Sequence, residues 1–72
     1  MSLYNFLELA MADYYKINVF YTNTGEEILH QVEVGKIREE LENGSMEDLL
    51  FYDVVSWDIN EERNNEFTIN IE

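Results

Sequence analysis

An α+β fold, in which a four-stranded, mostly antiparallel sheet carries helices on one face, is predicted by three features of this 72-residue chain. Apolar residues recur at helical spacing near the amino terminus. Two separate stretches then alternate apolar and polar residues around turn-forming sequences. Between those stretches the helical period returns, broken once by an Asn-Gly pair. The predicted element order is αββααββ, in a single small acidic domain spanning residues 1–72.

In the first element, Leu3, Phe6, Leu7, Ala10, Met11 and Tyr14 fall on one helical stripe, with Glu8 and Asp13 off it. Ser2 is placed to cap the free amides, so the spacing predicts a helix from about residue 3 to 14. From Lys16 the period becomes two. Ile17, Val19 and Tyr21 alternate with Lys16, Asn18, Phe20 and Thr22. Beyond an Asn-Thr-Gly turn, Ile28, His30, Val32 and Val34 alternate with Leu29, Gln31 and Glu33, which predicts a hairpin. Phe20 and Leu29 fall on its outer face, either beneath a helix end or in an exposed apolar patch.

Residues 36–43 again read as helix, with Ile37 and Leu41 inward and the charged residues outward. Asn43 and Gly44 supply a stop, since glycine takes the left-handed conformation without steric penalty. Ser45 and Asp48 then suit the start of a second short helix, whose apolar side is Met46, Leu49, Leu50 and Phe51. The last third predicts another hairpin. Val55, Trp57 and Ile59 point inward on one strand, and Phe67, Ile69 and Ile71 on the other, around the polar stretch from Asn60 to Asn65.

Composition narrows the function classes. The chain has no cysteine and a single His30, which excludes disulfide staples and the usual zinc ligand sets, so no cofactor is expected. His30 is the only imidazole base and reads as a core or core-edge residue. No nucleophile motif or glycine-rich phosphate loop is present, and the expectation is that the protein is not an enzyme. A calcium loop beginning at Asp58, Asn60 and Glu62 fails where Arg63 replaces the required glycine and Ile69 the terminal glutamate.

Charge is the strongest functional signal. The net charge is −12, which disfavours direct contact with nucleic acid or an anionic membrane. Residues 1–38 hold five acids against Lys16, Lys36 and Arg38, whereas residues 39–72 hold eleven against Arg63 alone. Such asymmetry predicts one acidic surface. Alternate residues of a strand stand roughly 6.5–7 Å apart and helical i, i+4 neighbours about 6 Å apart. Both spacings approach the phosphate repeat of DNA. Asp58, Glu62, Glu66 and Glu72 on the last hairpin are candidates for one row of contact acids, and Glu39, Glu40, Glu42, Glu47 and Asp48 for a second patch, with Tyr52 as an aromatic anchor. The competing reading is that these acids are simply the solvated faces of helices and hairpins. Among the other tyrosines, Tyr4 and Tyr15 are interface candidates and Tyr14 and Tyr21 core-edge filling.

In its size, its lack of cysteine and its segments "EELENGSMED" and "DINEE", the chain resembles small phage-encoded inhibitors, among them anti-CRISPR and other DNA-mimic proteins. The resemblance is one of overall character. It implies a basic nucleic-acid-binding protein as target, blocked in the host bacterial cytoplasm. Two other classes fit the same residues. One is an interaction module, monomeric or a homodimer burying Phe20, Leu29 and the first helix, with acidity serving solubility alone. The other is an antitoxin-like regulator.

Overall fold

In the computed structural model, residues 1–44, 47–60, 62 and 65–72 are described, with the backbone alone at Ala10 and Glu47. The elements run α1 (Leu3–Ala10), β1 (Lys16–Tyr21), β2 (Glu26–Glu33), α2 (Val34–Glu42), α3 (Glu47–Leu50), β3 (Val54–Ile59) and β4 (Glu66–Ile71). The expected α+β class is present, but the sheet is mixed. Its strand order is β2-β1-β4-β3, with β1 and β4 lying parallel at the centre and each outer strand antiparallel to its neighbour. Two hairpins do not say which of their strands meet. Here β1 of the first hairpin and β4 of the second turn inward, where Lys16 to Tyr21 run in register with Glu66 to Ile71.

One face of the sheet carries the core. Ile17 and Val19 of β1 and Phe67, Ile69 and Ile71 of β4 are buried there. Leu3, Phe6, Leu7 and Met11 from the α1 segment, Val34 and Ile37 of α2, and Leu50 of α3 join them in one cluster. The register puts Lys16, Asn18, Thr68, Asn70, Ser56 and Asp58 on the opposite face, which among the described residues carries no helix.

Helix α1 is capped as its sequence suggests, the Asn5 amide donating to Ser2 Oγ at 3.1 Å. It stops at Ala10, four residues short of the expected end. Met11 is already extended, at φ −116° and ψ 130°, so the helical spacing of Tyr14 is coincidental. Tyr14 is exposed, while Tyr15 packs on the core with its ring 5.2 Å from that of Phe67.

The first hairpin departs from simple alternation. Gln31 takes a positive φ of 49°, and the β1–β2 register shifts on either side of Val19. A bulge of this kind re-aims the side chains beyond it. Leu29 and Val32 therefore both pack on the core, although they are three positions apart, while Ile28 and His30 are exposed. His30 is thus not a core residue. Its Nδ1 lies 3.1 Å from Glu27 Oε2 at the surface.

A second bulge displaces β3, where the register skips between Val54 and Ser56. Trp57 sits opposite Ile69 and so faces the helix side. It is nonetheless 54% exposed, because β3 is the outermost strand of the sheet, and Phe6 of α1 and Phe67 of β4 flank the indole at 5.7 and 6.0 Å between ring centres. Trp57, Val55 and Ile59 are accordingly surface residues, not core. At the helix junction Gly44 adopts φ +80°, as the Asn-Gly stop requires. The proposed Ser45 cap, the apolar role of Met46, and Arg63 lie outside the described residues. Leu50 is buried and Leu49 packs beside it, but Phe51 is 77% exposed.

Candidate functional site

The candidate acids do not all meet. Glu39, Glu40 and Glu42 are exposed on α2, and Asp48 is exposed on α3. Glu47 opens α3, with its side chain outside the description. Tyr52 follows, half covered, with its ring 5.6 Å from that of Tyr21. All of these belong to the helical layer or its margin. Asp58 pairs across the strands with Thr68 and so stands on the helix-free side of the sheet. Glu62 is exposed in the β3–β4 connection, its amide held by Asn60 Oδ1 at 2.9 Å. The sheet itself therefore separates Asp58 from the α2 acids.

Acids on α2 are placed at a local cost. They crowd the carboxyl-terminal half of the helix, and no basic residue occupies the last turn. The carbonyl end of a helix carries partial negative charge and disfavours carboxylates. Replacing Glu40 by Lys is expected to raise stability by about 0.5 kcal/mol at low ionic strength, a gain that urea titrations in 0.5 M salt should largely erase.

Arg38 is committed internally. Its guanidinium bonds Asp13 and the carbonyl oxygens of Leu7 and Met11, and its Nε lies 3.6 Å from Glu8. A hollow of about 560 Å³ beside it, between α2 and the chain after α1, is lined by Asp13, Glu33, Glu39 and Glu42 with Lys36.

One carboxylate is a structural member of the sheet. Glu66, expected in the outer acidic row, is instead only 8% exposed, and Asn18 7%. Asn18 Nδ2 donates to Glu66 Oε2 at 3.3 Å, Gln31 Nε2 to Glu66 Oε1 at 3.3 Å, and Asn60 Nδ2 to Oε2 at 3.5 Å. The Gln31 amide in turn reaches Asn18 Oδ1 at 2.9 Å. This network ties the bulge of β2 to β1 and β4, and it explains why Gln31 is held at positive φ.

Catalytic constellations are sparse. The His30–Glu27 pair is exposed, and among the described residues no serine or threonine hydroxyl bonds to it. Among those residues no three His, Asp or Glu converge on a point where a metal ion would sit. The hydrogen-bonding partner Tyr14 and its charge, followed by burial, raise the pKa of the Tyr15 phenol above its ordinary value.

The larger feature was hidden from sequence reasoning. Along the outer strand β3 and the adjoining side of α1, Met1, Leu9, Val55, Trp57 and Ile59 are all exposed, Leu9 at 77%. A concavity of about 330 Å³ runs among Met1, Leu9, Val55 and Trp57 over the buried Phe6. The available signal was Leu9, an apolar residue off the buried stripe of α1. A smaller hollow of about 180 Å³ lies among Tyr4, Leu41, Leu50 and Phe51 in the helical layer. Among the described residues no helix is long and apolar enough to cross a membrane. Comparison of the chain with protein-family models, with curated proteins and with solved structures finds no match.

Proposed function

We propose that the protein is a binding protein that seats the β3–α1 surface on a partner protein carrying cationic surface, and that its acidity steers the encounter. The observation that carries this reading is the exposed apolar set on β3 and α1 in a chain of net charge −12. A contiguous apolar patch on so polar a surface is where partner contact is expected. An exposed tryptophan flanked by aliphatic side chains is the composition of an interface centre.

Charge and patch then divide the work. Acids on both sides of the sheet produce a long-range field that speeds association with a basic surface, without being arranged as a phosphate row. Proteins that hold nucleic acid present such surfaces, and blocking one of them is the form of inhibition this reading favours. Tyr52 and the α2 acids act as rim.

The test is a pulldown from bacterial lysate, followed by kinetics on the recovered partner. Wild type should capture a basic protein whose association rate falls steeply between 50 and 300 mM salt, values set by the screening length of about 10 Å at 0.1 M. Trp57→Ala and Leu9→Ser should each speed dissociation at least tenfold while leaving the salt slope of association unchanged. Replacing Glu39, Glu40 and Glu42 by Gln should slow association and spare dissociation. Binding that survives both apolar substitutions and vanishes with the three glutamates would overturn the reading in favour of a purely acidic contact surface.

A further inference from the structure

The open edge of β3 points to one class of partner segment, and we propose that the protein takes up an extended strand of alternating apolar and basic residues as a fifth strand beside β3. This rests on the functional reading above and specifies its partner.

Among the described residues, the edge is covered only at its start. The Val54 amide donates to the Met1 carbonyl at 2.8 Å, the Leu3 amide donates to the Tyr52 carbonyl at 2.8 Å, and Ser2 forms a bridge with Asp53. Beyond Val54 no described segment lies alongside β3. The direction of the backbone groups follows from the ladder. The Asn60 amide bonds the Glu66 carbonyl of β4 at 2.9 Å. Antiparallel pairing alternates, so Asp58 and Ser56 also turn their backbone groups toward β4, and Trp57 and Ile59 turn theirs outward. The Ile59 amide confirms this, because its partner is the Asp58 carboxylate at 3.0 Å and not β4.

Asp58 therefore acts as a placeholder. A carboxylate capping an edge amide blunts promiscuous pairing. An arriving strand offers its carbonyl to Ile59 N–H, which frees Asp58 for a lysine or arginine on that strand. Side chains of the new strand alternate between faces. On the helix side they meet Trp57, Ile59 and Leu9, which favours apolar residues. On the open side they meet Asp58, which favours basic ones. A second copy of this chain is the poorer occupant, since two protomers of charge −12 repel each other.

Trp57, the sole tryptophan, reports the event. The probe is an acetylated heptapeptide alternating Lys and Val, titrated against the full chain at 50 mM salt. The expected results are a blue shift of tryptophan emission and slowed exchange of the Trp57 and Ile59 amides. N-methylation of the peptide on its protein-facing amides should weaken binding at least tenfold. Asp58→Asn should weaken the Lys–Val peptide several-fold more than its Gln–Val counterpart.

Equal binding by the N-methylated peptide, or by one with the same composition in two blocks, would overturn strand addition. Protection of the two amides that rises with protein concentration, without peptide, would overturn it in favour of self-pairing. Should Trp57→Ala retain every contact with the captured protein, the functional reading itself fails. Should it lose them while N-methylation has no effect, only the strand geometry fails.

Discussion

Replacing Arg38 by Ala is expected to lower stability by roughly 2–3 kcal/mol, which is a large share of what a domain of this size possesses. The guanidinium donates to the carbonyl oxygens of Leu7 and Met11 at 3.1 and 3.0 Å. Those groups lie at the carboxyl end of α1, where positive charge also answers the helix dipole. There an arginine from α2 bonds the Met11 carbonyl and shares the Leu7 carbonyl with the Met11 amide, answering acceptors at the helix end. Bonds from a charged donor to part-buried backbone acceptors outweigh the accompanying ion pairs. Asp13 and Glu8 are 71% and 47% exposed, and exposed pairs are worth about 0–1 kcal/mol. Asp13→Asn and Glu8→Gln should therefore each cost less than about 1 kcal/mol. Arg38→Lys should recover less than half of the Arg38→Ala loss, because an ammonium cannot span two carbonyls and a carboxylate at once. Urea denaturation followed by tryptophan emission measures all four variants. If Arg38→Ala and Asp13→Asn cost the same, the capping account is wrong.

That bond set also marks where sequence patterns stop being informative. The stripe of Leu3, Phe6, Leu7 and Met11 was legible because side chains on one face of a helix must be buried together, and all four are buried. Its end was not legible, since the group that bonds the Met11 carbonyl comes from a residue 27 positions away. Phe67, Ile69 and Ile71 were readable as inward for the same reason as α1, with period two replacing the helical one. Leu29 and His30 were assigned to the wrong faces because a bulge adds a residue without leaving any local trace in composition. The φ of Gln31 is sustained by bonds to Asn18 and Glu66, both distant in sequence. Trp57 failed in a different way. Its facing was right, opposite Ile69, but facing the helix side guarantees burial only where a helix extends far enough. The acids were counted correctly and their separation was not visible, because Asp58 and the α2 glutamates are divided by a sheet whose parallel centre the hairpins did not specify.

The opposition of Ile69 and Trp57 lets folding and binding be separated by experiment. Ile69 is fully buried at the centre of the sheet, in register with Val19 on one side and Trp57 on the other. Ile69→Ala removes packing from both neighbours and leaves a cavity that rigid strands cannot close. The expected cost is roughly 3–5 kcal/mol, close to the whole stability of a small domain, so much of the population should unfold at 37 °C. Trp57 occupies the paired position, yet about half of its surface already meets solvent. Its truncation to Ala should cost only about 1–2 kcal/mol, well below the value for a buried aromatic. If Trp57→Ala proved as destabilising as Ile69→Ala, the indole would be a core residue and loss of binding would report unfolding. If it keeps the circular dichroism and cooperative transition of the wild type, loss of the partner reports the surface alone. A side chain that costs little when removed from the fold, and much when removed from the complex, is one whose exposed area is used in binding.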